Sequence, residues 1–165
     1  MKKIAILLLA VLMLISLCAC GADSDPVDTT PQTKPLEGYA FIYKGVELMP
    51  GAAFDAAALP EPEYFYAAPN CALDGNDTVY NYVDIEVAVY DDGKSAVIQS
   101  VYIINPNLTT PEGLALGDDL AKVKQLYGEE YTVEGAQWQF EKGNMYLGVL
   151  TQDDFVASME YRLAG

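Results

Sequence analysis

Apolar and polar residues are distributed along this chain in three regimes. Ile4 to Leu17 is an apolar run, interrupted only by Ser16, behind Lys2 and Lys3. Gly21 to Leu36 has almost no large apolar residue and carries Pro26, Pro31 and Pro35. From Tyr39 onward, apolar and polar residues alternate in short runs separated by turn residues. Three such runs recur as a set. Val79-Tyr80-Asn81-Tyr82 parallels Gln137-Trp138-Gln139-Phe140, Ile85 to Tyr90 parallels Met145 to Leu150, and Val97 to Val101 parallels Phe155 to Met159. Period-two alternation in segments rich in Val, Ile and Tyr predicts half-buried antiparallel strands. The connectors Asp91-Asp92-Gly93-Lys94 and Lys142-Gly143-Asn144 read as hairpin turns.

Each trio follows a glycine-led opening, Gly45-Val46-Glu47-Leu48 or Gly113-Leu114-Ala115-Leu116, and then a stretch with helical character. In the first copy that stretch is about Ala52 to Leu59, ended by Pro60. In the second it is about Asp118 to Tyr127. There Asp118 and Asp119 suit the positive helix N-terminus, Leu120, Val123 and Leu126 form one apolar face, and Gly128 suits the C-terminal cap. The expected fold is α+β: two tandem helix-plus-antiparallel-meander repeats, about 39–105 and 110–163, forming one sheet with short helices packed against it.

The N-terminal regimes predict location. The run Ile4 to Leu17 is 14 residues, short of the roughly 20 that span a bilayer. A basic pair, an apolar run and small Ala19 make an export signal. Leu17-Cys18-Ala19-Cys20 makes it a lipobox: cleavage after Ala19 frees the amine of Cys20, whose thiol takes a diacylglyceryl group. Two or more acyl chains hold stably, because each buried methylene contributes about 0.8 kcal/mol. The expected organisation is therefore a lipoprotein signal peptide at 1–19, a lipidated N-terminus and flexible tether at 20–37, and the α+β domain at 38–165. The expected location is the cell membrane, lipid-anchored and facing the extracytoplasmic side.

Composition narrows the partners. Without residues 1–19 the chain carries 7 lysines and arginines against 24 acids, a net charge of −17, and no histidine. Such a surface repels nucleic acid and anionic headgroups, so membrane contact falls to the lipid on Cys20. Cys18 leaves with the signal and Cys20 becomes a thioether. Cys71 is then the sole thiol, no intrachain disulfide is possible, and about 125 residues must supply the core alone.

The search for chemistry is mostly exclusion. Without histidine there is no Ser-His-Asp triad and no histidine general base or metal ligand. Cys71 lacks its usual base and reads as a small buried hydrophobe. Asp74-Gly75-Asn76-Asp77 fails the calcium-loop pattern, because the sixth and twelfth positions are Val79 and Ile85. Gly113-Leu114-Ala115-Leu116-Gly117 lacks the lysine and spacing of a phosphate loop. No catalytic residue, metal or cofactor is expected. The aromatics of the strand segments are the remaining candidates: Tyr64, Tyr66, Tyr80, Tyr82 and Trp138 form a binding surface wherever alternation leaves them on an outer face. Ordinary strand packing is the competing explanation.

Thr110-Pro111-Glu112-Gly113-Leu114-Ala115-Leu116-Gly117-Asp118, followed by Val123 and Leu126-Tyr127-Gly128, resembles lipoproteins of unknown function from Firmicutes. Cys71-Ala72-Leu73-Asp74-Gly75-Asn76-Asp77 with Val79-Tyr80-Asn81-Tyr82 resembles their first half. More distantly, the helix-then-meander unit resembles the β-lactamase inhibitor protein fold and the SmpA/OmlA lipoproteins of outer-membrane assembly. The distant resemblance implies a curved antiparallel sheet used for protein contact and transfers no binding residue. The functional expectation is a lipid-anchored, non-catalytic protein-interaction module of the cell envelope, with an unknown envelope or extracellular protein as partner. The alternative is a binder of extracellular glycans or small molecules that uses the strand aromatics.

Overall fold

The computed structural model describes residues 36–164. The expected signal peptide, the cleavage position Ala19, the lipidation residue Cys20 and the tether up to residue 35 lie outside the described residues. Ten strands and one α-helix are present in that span. A short hairpin comes first, β1 (Phe41–Tyr43) and β2 (Val46–Leu48). Its two-residue turn places Lys44 and Gly45 at φ 50° and 85°, the left-handed pair that matches strand twist.

The main sheet has eight antiparallel strands. They are β3 (Tyr64–Pro69), β4 (Asn76–Asn81), β5 (Ile85–Asp91), β6 (Ala96–Ile103), β7 (Thr132–Glu134), β8 (Gln137–Lys142), β9 (Met145–Gln152) and β10 (Phe155–Leu163). Their spatial order is β3-β4-β5-β6-β10-β9-β8-β7. Two four-stranded meanders thus join where β6 meets β10, with Val101 opposite Tyr161.

The expected α+β class with helix-plus-meander repeats is not what forms: the domain is mostly β, and the first meander has no helix. Residues 52–59 make only a single 3₁₀ turn, Ala56–Ala58, capped by the Asp55 carboxylate on Ala57 N. The cause is tertiary. β10 covers β6 only from Ser100 to Ile103. The remaining edge of β6 takes the backbone of the would-be helix: Gly51 N donates to Ile98 O, Ile98 N to Ala52 O, and Phe54 N to Ala96 O, at 2.7–2.9 Å. An isolated eight-residue helix is marginal, and those sheet bonds replace it.

The second helix does form, as α1 (Leu120–Tyr127). Asp119 caps its start by accepting from Lys122 N at 2.8 Å, and Gly128 ends it at φ 90°. Its first turn is tied to β10, since Leu120 N donates to Asp154 O and Val156 N to Asp118 O. Its residue Val123 is fully buried.

One row of paired residues runs across the inner face of the sheet: Phe65, Tyr80, Val87, Val101, Tyr161, Leu147 and Phe140, one per strand from β3 to β8. From Val87 to Phe140 every member is at most 1% exposed. The β1–β2 hairpin, the 49–59 segment and α1 supply the layer over this face, with Tyr39, Phe41, Leu48, Leu59, Leu114 and Val123 in the same buried cluster.

Candidate protein-interaction edge

The row just described is buried along most of its length and ends in the open. Tyr80 is half-buried against Phe54 (ring centroids 4.8 Å apart), and Phe65 packs on Tyr80 at 5.9 Å. Beyond Phe65 there is no further strand among the described residues. Tyr64, Phe65 and Tyr66 are 58%, 64% and 67% exposed. Strand alternation puts Phe65 on the core side and Tyr64 and Tyr66 on the outer side. The core therefore continues to the sheet's margin and stops at an uncovered ring.

β3 is also an unprotected edge. An edge strand presents unpaired N–H and C=O groups, which proteins normally blunt with charge, proline or shortness. The sheet's other edge, β7, has only three residues, ends in Glu134 and follows Glu129 and Glu130. β3 has six residues, Tyr-Phe-Tyr-Ala-Ala-Pro, with no charge among them. Prolines bracket it instead: Pro60 and Pro62 precede it and Pro69 ends it. Because proline cannot donate to a ladder, they bound a window from Tyr64 to Ala68 in which a further strand can pair.

The expected aromatic surface is thus divided. Tyr64 and Tyr66 are on it. Tyr80 lies on the opposite, inner side. Tyr82 is a correction: at 2% exposure it lies inside the core, 6.0 Å from Tyr43, and no partner reaches it. Trp138 also faces inward, 4.6 Å from Tyr131, with Lys124 over its ring and its Nε1 donating to Thr151 Oγ1 at 3.3 Å. Cys71, expected to be a buried hydrophobe, is exposed. It sits in the β3–β4 connection, where the Asn70 side chain accepts from Ala72 N and Leu73 N and holds the chain in a turn. Phe65 is a residue that strand alternation alone does not single out. The readable signal for it was an uncharged aromatic triplet framed by prolines.

The outer side next to β3 is acidic. Asp77 stands opposite Ala68 on one side and Tyr90 on the other, and both its oxygens accept from Asn70 Nδ2 at 3.0 and 2.9 Å. The Tyr90 hydroxyl donates to Asp74 O. Burial of its ring, and then the negative charges of Asp92, Asp74, Asp77 and Asp91, push the Tyr90 phenol above its ordinary range. At the other end of β4, Asn81 Nδ2 donates to Glu86 Oε1 at 2.8 Å. The ion pairs among the described residues are Lys122–Asp118 and Lys124–Glu129, neither of them in this region.

No family model, curated protein or solved structure matches this chain. Among the described residues, no group of Cys, Asp and Glu is placed to hold a metal ion, and no helix is long and apolar enough to cross a membrane.

Proposed function

We propose that this chain is a lipid-anchored, non-catalytic protein-interaction module of the cell envelope, and that it binds by accepting an extended segment of its partner alongside β3. The observation that carries the reading is the core row that ends at exposed Phe65 on an uncharged, proline-framed edge. Strand addition uses both features. The free main-chain groups supply hydrogen bonds, and alternate side chains of the incoming strand supply specificity. An added strand would cover Phe65 from the side and extend the buried row by one member. Lipidation at Cys20 would hold the domain at the membrane by a tether.

The test is photocrosslinking in intact envelopes from position 65, set beside the same probe at Thr132 on the opposite edge. The expected result is one partner captured at 65, not at 132, and lost in Ala67→Lys, which puts a charge in the middle of the edge. Equal capture at both edges, or capture insensitive to Ala67→Lys, would sink the edge reading. For the anchor, Cys20→Ala should move the protein from the membrane to the soluble fraction. Retention in the membrane would overturn the lipobox.

A further inference from the structure

The charge around β3 specifies what kind of strand fits. From Gly45 to Gly93 the chain carries ten aspartates and glutamates and not one lysine or arginine. From Lys94 to the end it carries the same number of acids with five cations among them. The uncompensated part contains β3, β4 and β5, and its acids frame the open edge. Glu61 and Glu63 are exposed at one end, and Asp74 is exposed at the other. Asp77 lies on the outer face one strand in, behind Ala68.

We propose that the β3 edge binds an extended cationic segment, with apolar residues alternating with lysine or arginine, as a ninth strand. This rests on the edge reading above. Residues of the added strand opposite Phe65 and Ala67 would point to the core side, where an apolar group meets the Phe65 ring. Residues opposite Tyr64, Tyr66 and Ala68 would point to the outer side. There a cation lies over tyrosine faces, a contact of about 0.5–1 kcal/mol when exposed. Ala68 is small, so a side chain from the next strand can pass over it toward the half-buried Asp77, whose oxygens are held by Asn70 Nδ2, about 10 Å away at two strand spacings. Arginine and lysine have the length to cross much of that distance. The same charge argues against a second copy as the occupant, since two copies would bring two uncompensated acidic margins together.

The test is a fluorescence anisotropy titration of the full chain in detergent with three labelled heptapeptides. All share valine at alternate positions and carry lysine, serine or glutamate between them. The expected result is that the lysine peptide binds at least tenfold tighter than the serine peptide, and the glutamate peptide not at all. Its affinity should fall severalfold as salt shortens the Debye length from about 10 Å to about 3 Å. Asp77→Asn should weaken the lysine peptide and leave the serine peptide unchanged. Equal binding of all three peptides would overturn the cationic partner while leaving the edge intact. Binding of none would overturn the edge as well. A salt-resistant dimer in sedimentation, dissociated by Ala67→Lys, would assign the edge to a second copy and overturn the proposal.

Discussion

Replacing Tyr161 by phenylalanine should stabilise this domain, which is unusual for a change at the centre of a core. Tyr161 is 0% exposed, and its hydroxyl stands beside Tyr127 and Thr110 without meeting either in hydrogen-bond geometry. Its neighbours are engaged with one another. The Tyr127 hydroxyl is 2.7 Å from Thr110 Oγ1 and donates to Glu112 Oε2 at 2.9 Å. Thr110 Oγ1 also accepts from Leu114 N at 3.0 Å. A buried hydroxyl without a partner costs about 1–3 kcal/mol. Deleting it returns that cost, less a few lost contacts of about 0.1–0.2 kcal/mol each. The net expectation for Tyr161→Phe is a gain of about 1 kcal/mol, or roughly 3–6 °C in melting temperature for a domain of this size. Tyr127→Phe is the control. It removes a bonded hydroxyl and should cost about 1 kcal/mol. Trp138, the single tryptophan, packs on Tyr131 and reports unfolding in urea. The gain should appear as a higher midpoint at unchanged slope. A loss of stability in Tyr161→Phe comparable to that of Tyr127→Phe would refute the reasoning, because it would mean that the Tyr161 hydroxyl is bonded.

Three further outcomes follow from the same packing. Tyr64→Ser with Tyr66→Ser should change stability by no more than about 0.5 kcal/mol, whereas Tyr82→Ser should cost about 3 kcal/mol or more; equal effects in urea titrations would contradict the division of the aromatics between surface and core. Gly75 has φ 146°, and a Cβ there would stand 2.5 Å from Asp91 O and 3.0 Å from the Tyr90 ring. Gly75→Ala should therefore cost at least about 2 kcal/mol by thermal unfolding, and a neutral result would show that the β3–β4 connection yields easily. The pH profile should have a plateau with two limbs. Asp84, bonded by Asn105 and Tyr43, and Asp118, bonded by Lys122 and by Ala115 N, both titrate below the ordinary carboxylate value. Their stabilisation is present above the unfolded value near 4 and is lost as pH falls through the lowered folded values. Burial pushes Tyr127 and Tyr161 up, so their contribution is full below about pH 10 and is lost as pH rises through the raised values. With no histidine, stability should be flat between about pH 6 and 8; a transition there would contradict this account, and Asp84→Asn should flatten the acid limb.

Where local pattern decides structure, the sequence was informative. Ile85 to Tyr90 was expected as a strand and β5 is Ile85–Asp91. The helix from Asp118 became α1, because Asp119, Val123 and Gly128 each supply a local reason for it. Residues 52–59 failed because the competing bonds come from β6, more than 40 residues away in the chain. The β1–β2 hairpin is not evident from the pattern, because Gly45 fits the opening of a repeat as well as the second residue of a left-handed turn. The candidate site was only half legible. Alternation places Tyr64 and Tyr66 together on one face, and the cation-free stretch from Gly45 to Gly93 is visible by inspection. That β3 is an edge is a property of strand order, which alternation does not encode. Tyr82 shows the same limit: it has the composition of a contact residue and the position of a core one.

The junction between β6 and β10 also affects how the chain reaches this structure. Within each meander, neighbouring strands are joined by short turns and can pair as soon as both exist. Val101 must wait for Tyr161, 60 residues later, and separations of that kind slow folding. Until then the Ser100–Ile103 half of β6 is a second uncovered margin, because the 51–54 segment takes only its Ala96–Ile98 half. An incomplete chain therefore offers two adhesive borders where the finished one offers a single border, and the hazard of mispairing ends only when β10 arrives.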